Sequence, residues 1–313
     1  MKASVYILAL SLCFTLANGV LYVNPGNPHN FPTIQSAIDA VPSDNSQWIE
    51  ISIKEGIYNE KVTIPSDKPF IYLKGDGVGR TTVTWGDNGT IETSPTISFL
   101  ADNTLVSGIK FVNSFNYPPK NNNPSWAVAA RIAGDKLAFY QCSFLGFQDT
   151  LYDERGRHYF NQCTIEGAVD FIFGNGQSIY EQCRILLNTP EIGYIAAHGR
   201  YDPNDSSGFV FKKCRVIRKS EGKTYLGRAW KEYSRVIFYK SLMANNILPE
   251  GWDSWDKDVK NLTFVEHHCY GPGYDTSKRV NWVKTLRPNE LMAFVDISYI
   301  DSERWIGQQP TVH

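Results

Sequence analysis

Ala138-Phe-Tyr-Gln-Cys142-Ser-Phe144 is echoed by Tyr159-Phe-Asn-Gln-Cys163-Thr-Ile165. It returns as Ser178-Ile-Tyr-Glu-Gln-Cys183-Arg-Ile185 and again as Val210-Phe-Lys-Lys-Cys214-Arg-Val216. The four cysteines are 21, 20 and 31 residues apart, so the period is near 21 with one inserted loop. Short apolar alternations separated by Gly, Asn and Asp at that period fit a parallel β-solenoid, in which each coil buries its inward side chains against its neighbours. An antiparallel sandwich with coincidental cysteine spacing is the alternative. In the solenoid the cysteines form an inward stack and act as small hydrophobes, not as metal ligands.

Working outward, Trp48–Ile53, Phe70–Leu73, Thr96–Leu100 and Thr104–Val112 are further β-rich segments. Thr33 is placed to N-cap a short helix with Ile34, Ala37 and Ile38 on one face, stopped by Pro42. That helix would cover the open end of the solenoid, and a second short helix is expected along its outside between Asn289 and Ile306. Nothing in the composition divides residues 20–313, which read as one domain. Residues 1–19 read as a secretory signal peptide: Lys2, the apolar run Val5 to Ala17, then small residues to Gly19. The run is too short for a bilayer span of about 20 residues.

Of the 313 residues, 42% are apolar and 20% charged, with 31 basic against 32 acidic side chains. This balance excludes a polar disordered tail and gives no basic excess for nucleic acid. Secretion would make the sequons at Asn88, Asn204 and Asn261 available for glycosylation. Five cysteines remain after the signal, an odd number that leaves an unpaired thiol in a monomer, the state expected here. The sequence contains no Gly-x-Ser-x-Gly, Walker, His-Glu-x-x-His or Cys-x-x-Cys signature. Gly75-x-Gly77-x-Gly79 reads as a tight bend, and His267-His268 as a surface pair.

The carboxylates carry the chemistry. Asp149 and Asp170 each lie seven residues after a cysteine, and 21 residues separate them. In register they stack on neighbouring strands, about 4.7–4.9 Å apart along the backbone. Two carboxylates that close do not ionise together easily, which separates an acid from a nucleophile or base. A pair of solvated turn aspartates is the structural alternative.

Taken together, Gly56-Ile-Tyr-Asn-Glu60, Gly146-Phe-Gln-Asp-Thr-Leu-Tyr152, Asp170-Phe-Ile-Phe-Gly174 and Leu226-Gly-Arg-Ala-Trp230 resemble the pectinesterase (pectin methylesterase) family, in order and over nearly the whole chain after Gly19. The likeness is to plant members without an inhibitor-like pro-region. It implies an all-β, right-handed parallel β-helix that hydrolyses methyl esters of homogalacturonan in the cell wall, without metal or cofactor. Proteinaceous pectinesterase inhibitors are partners of such proteins. By motif, Asp170 corresponds to the nucleophile, Asp149 to the acid/base, Gln148 to an oxyanion donor, Arg228 to the partner of the nucleophile and Trp230 to a sugar platform. Phe171 and Trp252 are expected along the same groove, and Thr96 on a strand touching substrate.

Two positions depart from the family pattern. Trp126-Ala-Val-Ala-Ala130 stands where members read Gln-Ala-Val-Ala-Leu, so Trp126 replaces a second oxyanion donor and lines the groove instead; Ala229 replaces a Pro. The expected consequence is a slower esterase. The competing readings are a pectin-binding pseudoenzyme and a β-helical glycosidase, which also uses paired carboxylates.

Overall fold

A computed structural model describes residues 19–119 and 125–312. The apolar run Val5–Ala17 assigned to a signal peptide lies outside the described residues. Three parallel sheets of ten, eight and seven strands form the walls of a right-handed parallel β-helix, each strand pairing with its counterpart one coil away. In the central coils the register advances by the 21 residues read from the cysteines: Ala130 pairs with Leu151 and Leu151 with Ile172. Later coils carry insertions, so Ile172 pairs with Ala196 and Tyr194 with Tyr225.

The interior is a set of columns. Phe139, Phe160, Tyr180, Phe211 and Phe238 occupy one position in successive coils, with ring centroids 4.9, 4.5, 4.8 and 4.5 Å apart and planes nearly parallel. Beside them Cys142, Cys163, Cys183, Cys214 and Cys269 are buried free thiols. Each donates to a carbonyl of the preceding coil, as Cys163 does to Phe139 O at 3.3 Å. The residue before each cysteine (Gln141, Gln162, Gln182, Lys213 and His268) has positive φ, and this left-handed step turns the chain from one sheet into the next. Asp153, His158 and Tyr180 form a polar group inside the same core. Tyr180 donates to one oxygen of Asp153 at 2.6 Å, His158 Nδ1 meets the other, and His158 Nε2 meets Gly134 O at 2.8 Å.

Helix α1 (Ile34–Ala40) begins as expected, with Thr33 accepting from Ser36 N and with Ile34, Ala37 and Ile38 buried. It lies against the first strands. Glu60 of the Gly56–Glu60 motif accepts from the backbone N–H groups of Ile34 and Gln35 at 2.9 and 3.1 Å. The carboxylate thus satisfies orphan donors at the positive end of the helix. At the other terminus α2 (Pro288–Val295) and α3 (Ser298–Asp301) pack Leu291, Val295 and Ile300 onto the outside of the ten-stranded sheet. They cover an apolar column running through Tyr72, Leu105, Ala138, Ile179, Val210, Ile237 and Val265, which otherwise would face water. Among the described residues no helix is long and apolar enough to cross a membrane.

Candidate active site

The turn between the seven- and eight-stranded sheets passes through Gly146–Thr150 in one coil and Gly167–Phe171 in the next. Gln148 pairs with Val169, which sets Asp149 directly beside Asp170. Both aspartates have positive φ, 59° and 47°, a conformation Asp tolerates better than most residues. Gly167 is required three residues earlier, because a Cβ there would lie 2.2 Å from the Cβ of Phe171. The side chain of Phe171 folds inward over that glycine, and Asp170 is left on the outer surface.

The two carboxylates sit at the bottom of a cavity of about 440 Å³, whose lining includes Gln148, Arg228, Trp230 and Trp126. Six residues named from sequence therefore meet in one place. Asp149 and Asp170 are only 7% and 8% exposed. Arg228 lies across from them on the strand Lys223–Ala229. Its Nε donates to Asp170 Oδ1 at 2.8 Å and its Nη2 to Oδ2, a bidentate pair. Neither the carboxylate of Asp149 nor the side-chain amide of Gln148 has a hydrogen-bond partner among the described residues, so both are free to meet a ligand.

The electrostatics follow from this asymmetry. Burial drives the carboxyl of Asp149 up to about 8, with the charge of Asp170 adding to the rise and Arg228 opposing it. Burial raises Asp170 too, Arg228 pulls it back through hydrogen bonds and charge, and Asp253 adds a smaller upward push. With two charge-assisted bonds on Asp170 and none on Asp149, the shared negative charge rests on Asp170 and the proton on Asp149.

Three expected groove residues are placed elsewhere. Phe171 is fully buried in the core. The left-handed step at Asp170 interrupts strand alternation, so Phe171 and Ile172 both point in and Phe173 reaches the cavity. Trp252 is 1% exposed; it stacks on Phe264 at 4.7 Å and donates to Glu266 at 3.1 Å, closing the last coils of the core. Thr96 is fully buried and donates to Val112 O at 3.0 Å, a strut and not a contact surface.

Sequence reasoning missed four other side chains. Tyr194 and Trp255 clamp the guanidinium of Arg228 between their rings, 4.1 and 3.8 Å from its central carbon. Tyr152 and Phe173 stack at 4.6 Å with parallel planes, and Trp230 stands edge-on to Phe173 at 6.0 Å, giving an aromatic floor. The signal for the floor was present, since Tyr152 and Phe173 are separated by the same 21 residues as the aspartates. Trp126 pairs with Gln148 in the neighbouring coil, and its ring, 54% exposed, forms one side of the cavity.

A family model described as Pectinesterase matches residues 21–303 of the chain. The chain is 48% identical over 301 residues to probable pectinesterase 29 of Arabidopsis thaliana, covering 93% of this chain and 89% of that protein. It is 37% identical to the pectinesterase QRT1 of the same plant, over 92% and 78% of the two chains. Among solved structures, the pectin methylesterase from carrot superposes with a TM-score of 0.85 at 32% identity, covering 94% and 97%. The Aspergillus niger enzyme gives 0.81 at 29% identity, covering 94% and 97%. With its coiled architecture, paired aspartates and these matches across almost its full length, the chain belongs to the pectinesterase family.

Proposed function

We propose that this protein is a secreted esterase of the plant cell wall that removes methyl groups from homogalacturonan through an aspartyl nucleophile. The observation that carries the reading is the unequal pair: Asp170 held by both arms of Arg228, and Asp149 buried beside it with no cation bonded to it. Asp170 attacks the ester carbonyl, and the free amide of Gln148 hydrogen-bonds the developing oxyanion. The C–O bond to the methoxy group breaks as Asp149 delivers its proton, and methanol leaves. The acyl group is now an anhydride with Asp170, which has lost its charge. With no anion beside it, the Asp149 carboxylate takes a proton from water as that water attacks the anhydride. The galacturonate product departs, Asp170 returns to Arg228, and Asp149 is again the acid.

Trp126 tunes this machinery. A ring at the position of the family's second amide removes one oxyanion donor, a change that costs on the order of 10²–10³ in rate elsewhere. A pectin-binding protein with little or no turnover is therefore the second reading, favoured by the Trp126 ring in the cavity. A glycosidase would instead make new reducing ends. Entry into the secretory pathway rests on the sequence of residues 1–19, and glycosylation on Asn88, Asn204 and Asn261; proteinaceous pectinesterase inhibitors are proposed as partners by analogy with the family alone.

The test is methanol release from highly methylated pectin by the mature protein and by Asp170→Asn. Methanol from the parent protein at constant chain length, and none from the variant, supports the esterase. Equal release from both refutes the nucleophile, and release from neither, with pectin binding retained, supports the second reading.

A further inference from the structure

Away from the groove, the corner joining the ten- and seven-stranded sheets bears a line of cations that the proposed chemistry does not use. On the first outward position of the seven-stranded sheet, Arg184 pairs in register with Arg215. The same column continues through Leu242 to Tyr270. On the corner column beside it the left-handed residues are Gln182, Lys213 and Lys240 in successive coils. Arg184, Lys213, Arg215 and Lys240 are all exposed, and Tyr270 ends the strip with a ring 57% exposed.

The charge on this strip is poorly compensated. Arg184, Arg215 and Lys240 have no ion pair among the described residues. Lys213 reaches Glu181 only at 4.0 Å, and that carboxylate already pairs with Lys212 at 3.3 Å. Cations just to the side are matched individually, Arg218 with Glu221 and Lys219 with Glu166. Like charges on directly paired strand positions destabilise a sheet. Here they concentrate on one edge of a chain whose formal net charge is −1. The β-helix fixes them about one strand spacing apart, roughly 4.7–4.9 Å per coil.

From this arrangement we infer a second carbohydrate site, a rail that binds de-esterified galacturonan running along the helix axis. A chain of free uronates offers what the strip lacks, anions repeated along a line, and a sugar face to lie on Tyr270. Methyl-esterified chain is uncharged and does not satisfy the cations. The inference rests on the esterase reading for its choice of polyanion: product made in the groove becomes the ligand of a different face and holds the enzyme near the stretch it has converted.

The experiment measures binding of a fully de-esterified galacturonan oligomer to the mature protein at low and at physiological salt. Parent protein is compared with Arg184→Gln/Arg215→Gln, with Lys213→Gln/Lys240→Gln and with the charge-keeping Arg184→Lys/Arg215→Lys. Each Gln pair is expected to weaken binding about tenfold at low salt and to flatten its salt dependence, since the lost contacts are exposed and screened. The Lys pair keeps most of the affinity, and methanol release from short, fully esterified oligomers is unchanged in every variant. Equal affinity and equal salt dependence for the parent and both Gln pairs overturn the rail. Failure of the esterase reading shows separately, as absence of methanol from the parent protein, while oligomer binding still reports on the strip.

Discussion

Replacing Arg228 by Gln removes the group that makes the two aspartates unequal. In the parent protein the side chains of Arg228 and Asp170 are 17% and 11% exposed, and they meet through two bonds. Breaking a buried pair of this kind costs about 3–5 kcal/mol. If that falls on the ionised form of Asp170, its proton affinity rises by about two to four powers of ten. Asp170, already raised by burial, then rises further toward Asp149, and at pH 6 a larger share of it is protonated. Methanol release at that pH should drop on the order of 10²–10⁴, and the acid limb of the rate profile should move upward. Arg228→Lys, with charge but no planar fork, should fall between the two. The assay is initial-rate methanol release across pH 4–9, with circular dichroism to establish folding. A folded Arg228→Gln protein within about threefold of the parent at pH 6, with its acid limb unmoved, refutes the reasoning.

Other outcomes follow from the same geometry. With Asp149 titrating at about 8, methanol release should fall as pH rises through that value. The raised pKa also carries a stability cost: the unfolded chain gives up this proton near pH 4 and the folded one near 8, so stability is lost as pH rises across that window. Asp149→Asn should abolish turnover yet raise the melting temperature at pH 7, by an amount worth about 2–4 kcal/mol. Trp126→Gln should increase methanol release, by on the order of tenfold or more if the missing donor is what slows the enzyme; an unchanged rate removes that explanation. Trp252→Ala should cost about 3–5 kcal/mol in denaturant unfolding, because it empties a core position. Trp255→Ala should leave stability nearly intact and slow catalysis by loosening Arg228. His158→Gln should destabilise by about 3–5 kcal/mol by leaving Asp153 buried without its cation. Burial opposes the charge on His158, yet Asp153 and Gly134 O raise its pKa above the ordinary value. That contribution is therefore complete below about pH 6.5 and is lost as pH rises through the folded value.

The coiled fold was legible because its repeat leaves a mark on composition: a small thiol after a left-handed corner residue, coil after coil. The aspartate pair was legible for the same reason, as two positions in one column. Facing was harder. A strand alternates in and out, but the left-handed step at Asp170 breaks the alternation, and Phe173 replaces Phe171 in the cavity. Trp252 and Trp255 are separated by a turn in a coil with insertions, where no period tells which ring points inward. Tyr194 belongs to the irregular coils as well, so its contact with Arg228 had no spacing to announce it. Thr96 was placed by analogy of motif, and its hydroxyl is spent on the carbonyl of Val112. The rise at Asp170 was not legible because a sequence displays its charged neighbours and not the depth at which they lie.

The division of one proton between the stacked aspartates is tested most directly by a carboxyl-carbon NMR titration of the mature protein labelled at aspartate, with Asp149→Asn and Asp170→Asn providing the assignments. The account predicts one resonance that titrates near pH 8 and disappears in Asp149→Asn, and a second, lost in Asp170→Asn, that titrates below it. Two resonances both titrating in the ordinary range around pH 4, or the higher value belonging to Asp170, would contradict it.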